Sequence, residues 1–283
     1  MKEKNNTTSS QNFSVLLSTF YKDSPEYLSL ALESLVNQAL PAAEVVFVED
    51  GPLTKDLYTV LESYQMKLPL VRVPLKENKG LGFALNIGLE KCSYDIVIRM
   101  DADDICYRDR FKLQYEYLSN NPDVDILGGW AHDIDPQGNI ISERKYPTSH
   151  DDIYRLMWTN PLIHPAVAFR KSKILSIGSY DPAVVRRQDY DLWIRAAVHG
   201  LRIENLPHFL IKYRFTDNYY KKNNTKVAFK QAVMGYKGVK QLKLPFYTKI
   251  AVFAPVLRSL LPVGLIGPVH RLMSKFDPRN KKL

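Results

Sequence analysis

Three carboxylates fall within four positions in the stretch IVIRMDADD (96–104): Asp101, Asp103 and Asp104 follow directly on an apolar run. Two like charges about 4 Å apart repel by roughly 4 kcal/mol in a surface-like dielectric, so such a cluster needs a reason. Three are available: a helix cap, a solvated turn, or a cation that the site binds. Asp101 and Asp103 are two apart and share a side if the chain stays extended past Met100. Hard divalent cations take carboxylate oxygens, and Mg²⁺ typically uses one or two of them together with substrate phosphates. A helix cap needs a single acid, so three acids favour a metal or nucleotide site. A second acidic pattern, Asp189 and Asp191 in QDYDLW, opens an apparent helix, where the macrodipole favours carboxylates whatever they do.

The elements that must position these residues alternate through the first 120 residues. FSVLLST (13–19), EVVFVED (44–50), LPLVRVP (68–74) and YDIVIRM (94–100) read as strands. Between them lie a helix entered through Ser24-Pro25, a helix over 54–65, and a turn into a helix over 78–91. Residues 108–121 form the next helix. This order predicts an α/β fold with a parallel sheet covered by helices on both faces. Ligands of such sheets bind beyond the carboxyl ends of the strands. Four clusters stand there: Thr19-Phe20-Tyr21, Glu49-Asp50-Gly51, Asn78-Lys79-Gly80 and Asp101 to Asp104. Beyond residue 122 the pattern predicts a hairpin turning at Pro136-Gln137-Gly138, then a strand and short helix over 164–181. A helix over 188–200 and a last strand over 209–215 follow.

Hydrophobic residues make up 45 % of the chain, enough for a proper core. Two cysteines, Cys92 and Cys106, indicate reduced core thiols and no disulfide framework. The opening MKEKNNTTSSQN lacks the apolar stretch of a signal peptide, so a disordered lead-in and a cytoplasmic protein are expected. The net charge of +9 is uneven. Residues 1–211 hold 23 Lys+Arg against 28 Asp+Glu, while residues 212–283 hold 16 against 2. The apolar run 250–269 in this basic tail carries Arg258 and three prolines, so it is not read as a transmembrane helix. A broken, basic amphipathic segment suits the headgroup region of an anionic membrane. Aromatics interleaved with lysines suggest nucleic acid instead, but no recognition motif accompanies them and the apolar run has no use there. Helical packing on the body explains residues 218–243 equally well.

MDADD after an apolar strand resembles the Asp-x-Asp motif of GT-A nucleotide-diphospho-sugar glycosyltransferases. FSVLLSTFYK, VVFVEDGP, NKGLGFALNIGL, HPAVAFRK and QDYDLWIRAA occur in the order found in glycosyltransferase family 2. The resemblance spans about residues 13–215 and is closest to the bacterial branch that builds exopolysaccharide and O-antigen units. It implies that Asp103, with Asp101 beside it, holds Mn²⁺ or Mg²⁺ against the donor diphosphate. Asp101 is implied at the ribose or in the metal shell. Asp50 is implied as the acceptor of a uracil N3–H, with Ser18 and Phe20 lining the base. Phe20 stands where the family usually has tyrosine, and Glu49 where it has aspartate. Lys79 is implied at the donor, against a solvated lysine as the alternative. The family's catalytic base falls on Asp189, with Gln188 in place of the usual glutamate and Asp191 as a structural acid. His164 of the His-Pro pair, Arg186 and Arg187 are candidates for acceptor or phosphate contact, with structural histidine and exposed loop arginines as alternatives. Trp130 and Trp158 are candidates to stack on sugar rings, and Trp193 is expected in the core.

The expectation is thus a GT-A catalytic domain over 13–215, split into a nucleotide-binding half (13–121) and an acceptor half (122–215). A lead-in (1–12) precedes it and a basic helical membrane-associating extension (216–283) follows. The implied enzyme is an inverting, metal-dependent hexosyltransferase using a UDP-sugar, with galactose or glucose favoured. Its acceptor is a polyprenyl-diphosphate-linked saccharide at the inner face of a bacterial membrane, and nucleic acid is not an expected partner. A sugar nucleotidyltransferase is the first rival, but it needs a glycine-rich loop after the first strand, where STFYKDSPEY has no glycine. A non-catalytic membrane- or nucleic-acid-binding protein is the second.

Overall fold

A computed structural model describes residues 12–215, 225–260 and 278–280. The lead-in, residues 216–224 and most of the apolar run beyond 260 lie outside the described residues. The first half builds as the sequence predicts: β1 (Phe13–Thr19), α1 (Pro25–Val36), β2 (Glu44–Glu49), α2 (Lys55–Tyr64), β3 (Leu70–Pro74), α3 (Leu81–Lys91) and β4 (Ile96–Arg99). Local chemistry sets these boundaries. The Ser24 hydroxyl accepts the Tyr27 N–H at 3.2 Å and Pro25 opens α1; Thr54 caps α2 in the same way.

Strands β3-β2-β1-β4 run parallel in that order. Side chains alternate between the two faces, as the pleat requires. Val15, Leu17, Val45, Phe47 and Ile98 pack on one side with α1 and α2, while Leu16, Val46, Val48 and Val97 pack on the other with α3.

After β4 come β5 (Ile105–Cys106), α4 (Arg110–Asn120), β6 (Ile126–Ile134), β7 (Ile140–Arg144), α5 (His150–Arg155), β8 (Ala168–Arg170), α6 (Lys171–Ser176), α7 (Gln188–Val198) and β9 (Ile203–Arg214). Here the sheet becomes mixed, in keeping with a mostly parallel sheet whose pattern changes after residue 122. It continues β4-β8-β6-β9-β5 with β8 antiparallel to both β4 and β6, β6 parallel to β9, and β5 antiparallel to β9. The physical reason lies in the connections: β8 enters from a short 3₁₀ turn at His164–Ala166 rather than through a crossover helix, so it need not run parallel. β9 begins six residues before the predicted strand, because ENLP (204–207) lacks the apolar alternation that marks a strand, yet pairs with β6. Both cysteines are free and buried.

The extension contributes α8 (Thr225–Gln241), α9 (Phe246–Ala251) and α10 (Ala254–Ser259). α8 sits directly on α7: a Cβ at Gly235 would come 2.9 Å from the Tyr190 hydroxyl, and one at Gly238 would come 2.7 Å from Ile194. Glycine is what lets the two helices approach this closely. The extension therefore includes a helix that packs on the body, and that body helix carries Asp189.

Candidate active site

The strand ends meet at one edge. Thr19 is in register with Glu49, the Asp50 N–H donates to Thr19 O at 2.8 Å, and the Met100 N–H donates to Leu16 O at 3.0 Å. The chain does not remain extended past Met100: β4 stops at Arg99 and the backbone turns at Ala102–Asp103. The turn still gathers the acids, because carboxylate oxygens of Asp101, Asp103 and Asp104 lie within 4.8 Å of one another. None of the three caps a helix; the residue at the start of α4 is Asp109. Arg214 fixes the turn from behind. Its N–H donates to Asp104 Oδ1 at 2.8 Å and its guanidinium to Asp103 O at 2.9 Å and Pro136 O at 2.9 Å, while the same group lies over the Tyr27 ring at 4.2 Å.

A cation is already built into this edge. Arg99 is fully buried and pairs with Asp101, and its Nε and Nη1 have no hydrogen-bond partner among the described residues. One guanidinium does not balance three acids. Burial, then the charges of Asp101 and Asp23, push the Asp103 carboxyl up to about 7. Burial, then Asp103 and Asp101, raise that of Asp104, whose Oδ2 also lacks a partner. An all-carboxylate set with an unsatisfied buried oxygen fits a hard divalent cation. Asp103 and Asp101 would hold it, with Asp104 behind them.

The second half of the chain delivers its residues to the same place. Asp189 stands in the first turn of α7, and Asn160 Nδ2 donates to its Oδ2 at 3.0 Å. Asp191 pairs with Arg195 at 2.8 Å, the structural part expected of it. Tyr180 is fully buried, and its hydroxyl lies 2.8 Å from His164 Nε2. Burial raises the Tyr180 phenol, Arg99 opposes that shift, and Asp189 and Asp101 both add to it, so one ring feels the base candidate and the metal cluster together. Burial, followed by the nearby Arg99 charge, pushes the His164 imidazole down, so it stays neutral.

The remaining candidates are placed as follows. Ser18 and Phe20 are half-buried at the end of β1, with the Phe20 ring edge-on to Tyr21 at 5.8 Å. Asp50 is 4 % exposed, and its carboxylate accepts from Asn78 Nδ2, Lys79 N and Gly80 N at 3.0, 2.8 and 3.0 Å. The expected bond to a uracil N–H therefore competes with three bonds inside the protein. Lys79 pairs with exposed Glu77 at 3.2 Å and lies over Phe83. Arg187 takes a left-handed backbone (φ 65°) at the start of α7, and Arg186 is exposed. Trp193 is core, and Trp130 donates to Tyr146 O at 2.9 Å.

Residues 14–193 match the profile of the Glycosyl transferase family 2. The chain belongs to this family. It is 43 % identical over 203 residues to the amylovoran biosynthesis glycosyltransferase AmsE of Erwinia amylovora, covering 71 % of this chain and 76 % of that one. It is 31 % identical over 262 residues to an Escherichia coli UDP-Gal:alpha-D-GlcNAc-diphosphoundecaprenol beta-1,3-galactosyltransferase, covering 92 % and 95 %. Among solved structures, a mannosyltransferase from Pyrobaculum calidifontis in complex with GDP-Man and Mn²⁺ shares the fold at a TM-score of 0.63 and 17 % identity, over 95 % of this chain and 81 % of that one. The fold is thus GT-A-like, and this family 2 glycosyltransferase is an enzyme of sugar transfer.

Several residues packed at the candidate site carry little or no signal in the sequence. Arg99 had a signal, a charged residue inside the apolar run IVIRM. Asn86, whose amide clasps the backbone of Tyr180 at 2.7 and 3.0 Å, and Asn160 gave none, because both act across about 30 to 90 residues of sequence.

Titration of the cluster gives a signed expectation. The folded protein holds the Asp103 proton up to about pH 7, whereas an unfolded aspartate releases it near 3.8. Its stabilising contribution is therefore complete below the lower value and is lost as pH rises through the upper one. In EDTA, the melting temperature should fall from about pH 4 to about pH 7, with Mn²⁺ restoring it at the upper end and Asp103→Asn flattening the profile. A melting temperature that rises over this range in wild type, with no flattening in the variant, would contradict the placement of these acids.

Proposed function

We propose that this enzyme moves a hexose, galactose or glucose in preference, from a UDP-sugar to a saccharide carried on a polyprenyl diphosphate, with inversion at the transferred carbon. The observation that carries the reading is the gathering of Asp101, Asp103 and Asp104 at the end of β4, with Asp101 and Asp189 both within electrostatic reach of the buried Tyr180. Asp189 is the base: it takes the proton of the acceptor hydroxyl as that oxygen attacks the sugar, a step worth about 10²–10⁴-fold when the carboxylate is positioned. UDP leaves on the opposite face in one displacement. A divalent cation at Asp103 and Asp101 would supply neutralisation of the charge gathering on the departing diphosphate. Ser18, Phe20 and the Asp50 turn supply the nucleoside side at the ends of β1 and β2. Lys79 is proposed at the donor, and His164, Arg186 and Arg187 on the acceptor or phosphate side. The E. coli relative, which acts on a GlcNAc-diphosphoundecaprenol, supports the choice of donor and acceptor.

The acceptor class places the reaction at a membrane surface, and we read the extension as the part that rests there, on the cytoplasmic face. No helix of the described residues is long and apolar enough to cross a membrane. α9 and α10 expose Phe246, Tyr247, Ile250 and Leu257, with Phe246 at 72 %. No Asp or Glu occurs from residue 218 to 276, while lysines recur throughout. Large apolar side chains among cations with no opposing acid suit an anionic headgroup layer.

UDP release from a panel of UDP-sugars, with a lipid-diphosphate-GlcNAc acceptor, tests the reaction. Asp189→Asn should lose about 10²–10⁴-fold in transfer, and Asp103→Ala or EDTA should abolish it; wild-type rates in either variant would refute the assigned roles. Co-sedimentation tests the surface. The protein should pellet with phosphatidylglycerol vesicles and not with phosphatidylcholine, and Phe246→Ser with Ile250→Ser should release it. Equal pelleting on neutral lipid, or none on anionic lipid, would remove the membrane reading.

A further inference from the structure

Asn160 occupies the loop between a 3₁₀ turn (Met157–Thr159) and Pro161 with φ 56° and ψ 75°. A left-handed backbone costs a side-chain-bearing residue about 1–2 kcal/mol, and asparagine is among the few that adopt it routinely. That conformation brings the Asn160 amide to Asp189, 29 residues away in sequence, at 3.0 Å. The carbonyls on either side of the strained position are held as well. Arg279 Nη1 donates to Thr159 O at 3.0 Å and to Asn160 O at 3.3 Å, and the same guanidinium lies over the Tyr146 ring at 4.9 Å. Arg279 belongs to the basic extension, more than sixty residues beyond β9. One continuous set of contacts thus runs from the far end of the chain, through the backbone of the Asn160 turn, to the carboxylate that α7 presents.

We infer that Asn160 is the positioning residue for Asp189, and that Arg279 braces the turn from which Asn160 reaches it. The inference rests on the reading of Asp189 as the base. An aspartate in the first turn of a helix has free rotation about two bonds. An amide donor on Oδ2 fixes one carboxylate oxygen and thereby the direction of the other. Pinning a reacting group in this way acts on the chemical step, because the Asn160 amide donates to Asp189 and Arg279 donates to the carbonyls of the Asn160 turn. The extension then has a second task besides any surface it rests on: part of it completes the geometry of the base.

The test uses the full chain. Asn160→Gly keeps the left-handed backbone at no steric cost and removes only the amide. Its kcat should fall about 10- to 100-fold, as expected for a reacting group displaced by up to an ångström. The donor KM and the calorimetric Kd for UDP with Mn²⁺ should stay at wild-type values. Arg279→Ala should lower kcat by a smaller factor, about 3- to 10-fold, with the same split. Arg279→Lys should recover most of it, since an ammonium also donates to two carbonyls. Asn160→Gly with wild-type kcat, or with kcat and KM both changed in step with a lowered melting temperature, would overturn the positioning role. Equal kcat in Arg279→Ala and wild type would overturn the brace, and these two arginine variants decide the matter if Asn160→Gly fails to fold. Asp189→Asn separates this inference from the reading beneath it. If that variant is active, the base assignment falls; if it is inactive while Asn160→Gly is fully active, only the positioning role falls.

Discussion

The end of β4 is an electrostatic problem around which the rest of the site is arranged. Carboxylate oxygens of three acids lie within 4.8 Å of one another, and the buried Arg99 guanidinium is paired with Asp101. Burial alone would protonate such acids, and their mutual repulsion adds to the shift. The protein tolerates this cost because the surrounding structure leaves them no room to separate: Arg214 holds the turn by its backbone and side chain, and Arg110 donates to Arg99 O at 2.6 Å from α4. Arg99 is fully buried while Asp101 is partly exposed, so loss of Asp101 would leave a buried guanidinium without its carboxylate partner. A divalent cation bound there would offset the charge that the chain leaves unpaired.

The fold divides the work along the sheet. The parallel strands β1 to β4 end at a common edge and bring the nucleoside-side residues and the acids together. The antiparallel insertion of β8 then turns the chain back, so the loop before it and helix α7 approach that edge from the other side. Asn86 of α3 ties the two parts: its amide holds both the N–H and the carbonyl of Tyr180. Tyr180 in turn meets His164, whose ring packs edge-on against Trp193 of α7. The helix that carries Asp189 is therefore tied to the sheet through packed, buried side chains. The close seat of α8 on α7 at Gly235 and Gly238 extends that support to the C-terminal region.

Much of this was legible in the sequence. The first four strands and their helices carry regular apolar periodicity and ordinary caps, and the acids after MDADD stand out by charge alone. Where the reading strained, a tertiary contact had replaced a local signal. An extended chain past Met100 would align Asp101 with Asp103; a turn held by Arg214, more than one hundred residues away, does so instead. The hairpin after residue 122 was legible, but the antiparallel placing of β8 between β4 and β6 carries no local signal. Asp50 was read as a base contact, and only the structure shows that the 78–80 turn also donates three hydrogen bonds to its carboxylate. Asn160 and Asn86 were invisible because an asparagine in a loop or a helix is common, and only its distant partner gives it meaning.

The central claim is that the acids at the end of β4 form an incomplete charge set that a dication and a nucleoside diphosphate complete together. Titration calorimetry of UDP into the protein at pH 7, with and without Mn²⁺ and in buffers of different ionisation heat, tests it most directly. The account predicts UDP binding that depends on Mn²⁺, with net proton release as the cation displaces protons from Asp103 and Asp104. Binding of UDP that is indifferent to Mn²⁺, or Mn²⁺-dependent binding with no proton released, would contradict it.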